Sequence, residues 1–177
     1  MSDLPNVSPL LDELAQRLQA ELAKDDKDPL LAGIHTGGVW IAEALRQRLQ
    51  NPPPLGTLDV SYYRDDLARG GLHPRLHPTH LPDGVDGRTI WLIDDVLHTG
   101  RTVRAAINEV FDFGRPARVR LLVLIVRAGH ELPIAADLAG ARIDDLTENV
   151  RIRLLGPDPL QLEVTSAKKS AAREGMT

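Results

Sequence analysis

Residues 90–102 read IWLIDDVLHTGRT. Four apolar residues, Ile90 to Ile93, have the continuous hydrophobicity of a strand buried on both faces. Two adjacent carboxylates, Asp94 and Asp95, follow at its carboxyl end, and a turn over 94–100 leads into Thr99-Gly100-Arg101-Thr102, where a helix is expected to begin. Each piece has a chemical use. A helix N-terminus presents unpaired N–H groups and the positive end of a dipole, which suit a phosphate. Gly100 lets the backbone come close to an anion, and two threonine hydroxyls add donors. The carboxylates repel a phosphate, so they suit sugar hydroxyls, a metal, or a cation that develops in a transition state. Taken one at a time these residues do ordinary capping and turn work. The apolar strand, the double acid and the TGRT turn at this spacing point together to phosphate in the turn and ribose beside the acids.

The segments around this stretch alternate between strand and helix. Leu11, Leu14, Leu18 and Leu22 share one face of a helix over 9–23, and Leu30 to Ile34 forms a short buried strand. Thr36-Gly37-Gly38 is read as a loop, followed by a second amphipathic helix through Ile41, Ala42, Leu45 and Leu49 that stops at Asn51-Pro52-Pro53-Pro54. Thr57 to Tyr63 is β-branched and aromatic, hence a strand. Val103, Ile107, Val110 and Phe111 mark the apolar face of a third helix, and Val119 to Val126 is the longest apolar run of the chain. Short β segments are expected at 150–155 and 160–164. This pattern predicts an α/β fold, a mainly parallel sheet flanked by helices, with ligands beyond the carboxyl ends of its strands. Residues 35–38, 64–87 and 94–102 are therefore the candidate site. The 64–87 loop holds four glycines and three prolines, and its 68–84 part is expected to be mobile in the free protein. The boundaries expected are one domain over 1–165 and a disordered polar tail over 166–177.

The chain has 177 residues, enough for a core that needs neither metal nor disulfide to fold. It has no cysteine, which excludes thiol nucleophiles and thiolate metal sites. No apolar run reaches the length of a membrane span, and MSDLPNVSPLLDELAQRL lacks a cleavable signal, so no membrane partner and a cytoplasmic location are expected. Lys and Arg total 21 against 25 Asp and Glu, a net charge of −4, and nucleic-acid-binding domains are usually basic. His73, His77 and His80 have a spacing that suggests a metal, but Pro74 and Pro78 interrupt any helix that would align them, and a solvated loop is the reading adopted.

IWLIDDVLHTGRT resembles the phosphoribosyl pyrophosphate (PRPP) signature of type I phosphoribosyltransferases. TLDVSYYRDDL, DDVLHTGRTVRAAINEVFDFGRPARVRLLVLIVR and GHELPI narrow the resemblance to one family, the bifunctional pyrimidine operon regulator and uracil phosphoribosyltransferase, PyrR. It implies a five-stranded, mainly parallel sheet with a small hood over the site, and a reaction that joins PRPP and uracil to give UMP and pyrophosphate. It implies that Val96, Leu97, His98, Thr99, Gly100, Arg101 and Thr102 form the 5′-phosphate segment, that Asp94 and Asp95 hold the ribose hydroxyls, and that His35, Thr36, Gly37 and Gly38 form the pyrophosphate loop. Arg64 would act catalytically at the opening of a mobile flap. Arg127 is assigned to the nucleobase side, with a hood salt bridge as the alternative. Mg2+ would be held through PRPP, with no direct protein ligand, and a homo-oligomer is expected.

The chain also departs from the family. Gly37 stands where many members have an arginine; Val126 replaces an aspartate, and Ala128-Gly129-His130 replaces a Gly-His-Arg run. RNA is a partner in the family, but LLDELAQRLQAEL (10–22) holds Arg17 as its one positive residue against three acids, which weakens that reading. Three functions stay open: a uracil phosphoribosyltransferase, a PRPP- or nucleotide-sensing regulator that binds RNA with little turnover, and a nucleotide-sensing subunit that binds protein.

Overall fold

A computed structural model describes residues 4–60, 77–147 and 149–166. Five strands form one parallel sheet: β1 (Leu30–Ile34), β2 (Leu55–Leu58), β3 (Thr89–Leu97), β4 (Arg118–Arg127) and β5 (Leu138–Ile143), in the order β2-β1-β3-β4-β5. Side chains on a strand alternate between faces, and the core divides accordingly. Leu31, Trp91, Ile93, Leu122 and Leu124 face the helices α1 (Val7–Leu22) and α2 (Gly37–Arg46), while Leu30, Ala32, Ile90, Leu92, Leu121 and Val123 face α3 (Arg101–Asp112). Two strands, β6 (Val150–Leu155) and β7 (Gln161–Ser166), form a separate antiparallel pair, with Val150 opposite Ser166 and Leu155 opposite Gln161. None of the described helices is long and apolar enough to cross a membrane.

The sheet and its covering helices agree with the sequence pattern, and four details differ. β3 does not end before the acids. Val96 pairs with Ile125 and Leu97 with Val126, so the backbone stays in the ladder through Asp94 and Asp95. Gly37 and Gly38 are not loop but the first turn of α2. The strand expected over 57–63 begins earlier, at Leu55, and ends at Leu58, because β1 is its one partner in the sheet and the pairing ends at Ile34 opposite Leu58. Finally, β5 carries no continuous apolar run. Gly140 allows it to form at the edge: a Cβ there would lie 2.7 Å from the Leu124 carbonyl oxygen and within 3.4 Å of Leu10 and Leu14 of α1.

On α3, Val103, Ala105, Ala106 and Val110 are buried, whereas Phe111 is 53% exposed. The helical period turns Phe111 off the face set by Val103, Ala106 and Val110, and the helix ends one residue later. Arg64, the 64–76 part of the long loop, His73 and the tail from 167 lie outside the described residues.

Candidate active site

The carboxyl ends of β1, β3 and β4 bring together residues that are far apart in sequence. Asp94 is buried, 4% exposed, and its Oδ1 accepts the Asp95 N–H at 2.9 Å. Asp95 Oδ1 accepts the Val96 N–H at 2.8 Å. These bonds fix the orientation of both carboxylates while β3 continues beneath them. The first turn of α2 rests directly on the pair. A Cβ on Gly37 would lie 2.6 Å from Asp95 Oδ2, and one on Gly38 would lie 2.1 Å from the Ile93 carbonyl oxygen. Only glycine allows the helix this approach, so the 35–38 segment and the two acids form one surface. A side chain at position 37 would meet the Asp95 carboxylate, which would have to shift to admit it.

Past the acids, Gly100 caps α3 with φ 90°, a left-handed conformation that glycine adopts without strain. Gly100 has no side chain to cap the helix, Thr99 Oγ1 accepts the Arg101 N–H at 3.3 Å, and no acid lies in the first turn, so the positive end of α3 meets no carboxylate of its own helix. The turn is braced from behind. The Thr99 carbonyl accepts two N–H groups, from Glu131 at 3.0 Å and Leu132 at 3.1 Å. Arg101 Nε donates to Glu131 Oε2 at 2.8 Å. Sequence reasoning placed Arg101 in the phosphate segment, and its guanidinium is paired with Glu131.

His98 belongs to the same segment by sequence. Its ring lies against Gly129, where a Cβ would come within 2.8 Å of Nε2. Burial first, and then the Arg127 charge, holds this imidazole below its ordinary value of 6.5; Glu131 opposes the shift. The ring is therefore favoured neutral, facing the connection between β4 and β5.

Arg127 ends β4 and is 4% exposed. Its guanidinium donates to the Val150 carbonyl, at the start of β6, and to the Thr147 carbonyl at 3.4 Å. Its Nε is buried without a hydrogen-bond partner. Among the described residues it makes no salt bridge; its bonds go to the backbone that leads into the β6–β7 pair. The expectation missed Glu131 and the 147–150 carbonyls as partners. Glu131 was visible as part of GHELPI, but nothing in a sequence marks a backbone carbonyl as an acceptor.

At the other end of the site, the His35 ring stacks on His77, with centroids 4.4 Å apart and planes 11° from parallel. His77 was read as a solvated loop residue, and it is exposed, but its ring has this specific neighbour.

An α/β sheet with a glycine-started helix N-terminus beside a carboxylate pair at its strand ends defines a phosphoribosyltransferase-type domain, and the profile of the Phosphoribosyl transferase domain matches residues 2–150. Solved structures carry the same fold. A hypoxanthine phosphoribosyltransferase from Staphylococcus aureus superposes with a TM-score of 0.58 at 19% identity, covering 84% of this chain and 81% of that one. A purine phosphoribosyltransferase from Pyrococcus horikoshii gives 0.60 at 24% identity over 78% and 86%. Among sequences, the bifunctional protein PyrR of Pseudomonas syringae pv. tomato is 52% identical over 91% of this chain and 95% of its own length. The PyrR of Nitrosococcus oceani is 51% identical over 90% and 91%. The chain belongs to the PyrR family.

Proposed function

We propose that this protein is a uracil phosphoribosyltransferase that converts PRPP and uracil to UMP and pyrophosphate. The observation that carries the reading is the approach of α2 to the acid pair, with Gly37 against Asp95, at the same carboxyl edge of the sheet as the N-terminus of α3. Two helix N-termini then flank one carboxylate pair, as a ligand with phosphate at both ends of a ribose requires.

In this reading Thr99 to Thr102 bind the 5′-phosphate through the N–H groups of the first turn of α3 and the threonine hydroxyls. Asp94 and Asp95 accept hydrogen bonds from the ribose 2′- and 3′-hydroxyls. The diphosphate lies toward Thr36, Gly37 and Gly38. As the bond from C1′ to diphosphate breaks, positive charge grows on the sugar ring, and the fixed carboxylates favour that charge without reorganising. Arg64, the catalytic candidate at the opening of the 64–87 loop, lies outside the described residues, and the reading assigns that loop the exclusion of water from a reactive sugar cation. Arg127 holds the backbone of the hood rather than the base itself. The neighbouring Asp94–Asp95 charge suits a bound cation, and Mg2+ would be held chiefly by PRPP's own diphosphate and ribose hydroxyls, with no direct protein ligand. Bound with PRPP, it supplies charge neutralisation on the leaving diphosphate. The decisive assay incubates the protein with Mg2+, PRPP and each nucleobase in turn and separates the products by chromatography. UMP formation from uracil alone among the bases is expected; turnover of no base would remove the enzymatic reading.

A second reading, a regulator acting on RNA, finds little support in α1. Arg17, the positive residue of LLDELAQRLQAEL, donates to the Ala139 carbonyl at 2.8 Å and faces Glu13 at 3.5 Å. Its charge is already engaged, and phosphate contacts dominate RNA affinity. Tight binding to a leader hairpin with a steep salt dependence would reverse this judgement.

A further inference from the structure

The 35–38 segment offers a diphosphate backbone N–H groups but no arginine or lysine, so the charge that meets the ligand there has another source. The His35–His77 stack adjoins that segment through His35, which directly precedes Thr36, the N-cap of α2. His35 directly follows β1 and precedes the first turn of α2; its N–H donates to the Leu58 carbonyl at 2.9 Å. His77 is held from behind: its N–H donates to Asp59 Oδ2 at 2.6 Å, and two backbone bonds between His80 and Thr57 fasten the segment that follows it. The two rings are thus positioned by separate strand ends and meet face to face at 4.4 Å.

We infer that His35 and His77 form a proton-coupled half of the diphosphate site, taking up a proton as a diphosphate binds at the N-terminus of α2. This rests on the phosphoribosyl reading above and adds to it the residue His77 and a linkage to pH. Burial first, and then His77, holds the His35 imidazole below its ordinary 6.5, while Asp59 and Glu43 of α2 oppose the shift. Near neutral pH His35 is therefore favoured neutral in the free protein. An incoming diphosphate adds negative charge beside it and favours the protonated form. By linkage, a ligand that raises proton affinity binds more tightly as protons are supplied.

The test is calorimetric titration with magnesium pyrophosphate, and separately with PRPP, in two buffers of different ionisation enthalpy, which reads protons taken up per ligand bound. Wild type is compared with His77→Phe, which keeps a ring for the stack, and with His35→Asn/His77→Phe. Any protonation of the ligand itself is common to all three and cancels. Wild type is expected to take up a fraction of a proton at pH 7, and the double variant less. At pH 6.5 the double variant should bind about tenfold more weakly, the value of a charge-assisted hydrogen bond, with the gap closing by pH 8.5. In His77→Phe the uptake midpoint should move to higher pH, because the like-charged neighbour is gone. Equal uptake by wild type and the folded double variant, or an unmoved midpoint in His77→Phe, would overturn the inference while leaving the phosphoribosyl reading intact. Absence of binding by either ligand at any pH would remove that reading, and this one with it. Should the double variant fail to fold, histidine NMR on wild type decides: the His35 resonance must titrate upward when pyrophosphate is added.

Discussion

Substitution of Gly38 by alanine tests the join between α2 and β3. A Cβ at this position would sit 2.1 Å from the Ile93 carbonyl oxygen and 3.1 Å from the Asp94 Cα. Both obstacles are backbone in the middle of a parallel sheet, with β3 paired on either side, so neither can turn aside as a side chain would. Ordinary contact begins near 3.4 Å, so α2 must withdraw by roughly 1 Å. Overpacking of this kind costs about 1–3 kcal/mol, partly offset by the better helix propensity of alanine, and Tm should fall by roughly 3–8 °C. The functional loss should exceed what stability explains. Withdrawal carries Thr36 and Gly37 off Asp95, and a misplacement of about 1 Å costs on the order of a hundredfold in rate. Asn51→Ala is the control. It is exposed, lies outside the three candidate segments and has φ of 44°, so it should lose about 1 kcal/mol of stability and leave PRPP binding alone. The assays are thermal unfolding and the steady-state KM and kcat for PRPP. A Gly38→Ala protein with the Tm and PRPP kinetics of wild type would refute the close packing on which the site is built.

Four further outcomes are expected. Thr102→Val should weaken PRPP and UMP binding about ten- to a hundredfold by removing a donor to a charged phosphate, measured by equilibrium titration; Asp94→Asn and Asp95→Asn should lower kcat more than they weaken UMP binding if the carboxylates favour developing ring charge, and both equally if they only hold hydroxyls. Arg127→Met leaves the Val150 and Thr147 carbonyls without their donor and should cost about 2–4 kcal/mol in denaturant unfolding, with a larger rise in KM for uracil than for PRPP. Glu21 accepts from Arg120 at 2.6 Å, and this bond first, then Lys24, holds its carboxyl below the ordinary 4.5. A carboxylate lowered in the folded state stabilises above its unfolded value and loses that contribution as pH falls through the folded one, so Glu21→Gln should reduce the acid sensitivity of unfolding below pH 4.5.

The fold was largely legible because its strands are buried on both faces and so appear as apolar runs. Leu30 to Ile34, Ile90 to Ile93 and Val119 to Val126 needed no partner information to be recognised. β5 was not legible because what permits it is tertiary: Gly140 makes room for the Leu124 carbonyl and for α1, and LAGARI alone shows no strand period. The site was legible at its two motifs but not in how they meet. That Gly37 rests on Asp95, that Arg101 is bound to Glu131, and that His77 returns to His35 are consequences of topology. The spacing of 42 residues between His35 and His77 carries no local signal.

The double use of the Thr99 carbonyl bears on how such a protein changes its preferred base. The main chain of Glu131 and Leu132 holds the turn in front of α3, and the same connection between β4 and β5 carries Gly129 against His98. In the phosphoribosyl reading one of these contacts belongs to the phosphate end of the nucleotide and the other to its base end. A substitution that reshapes the 128–134 connection to admit a different base therefore also moves the phosphate cradle. Base preference and nucleotide affinity are tied together, and a shift in one by single substitutions is accompanied by a loss in the other until the Thr99 bracing is rebuilt.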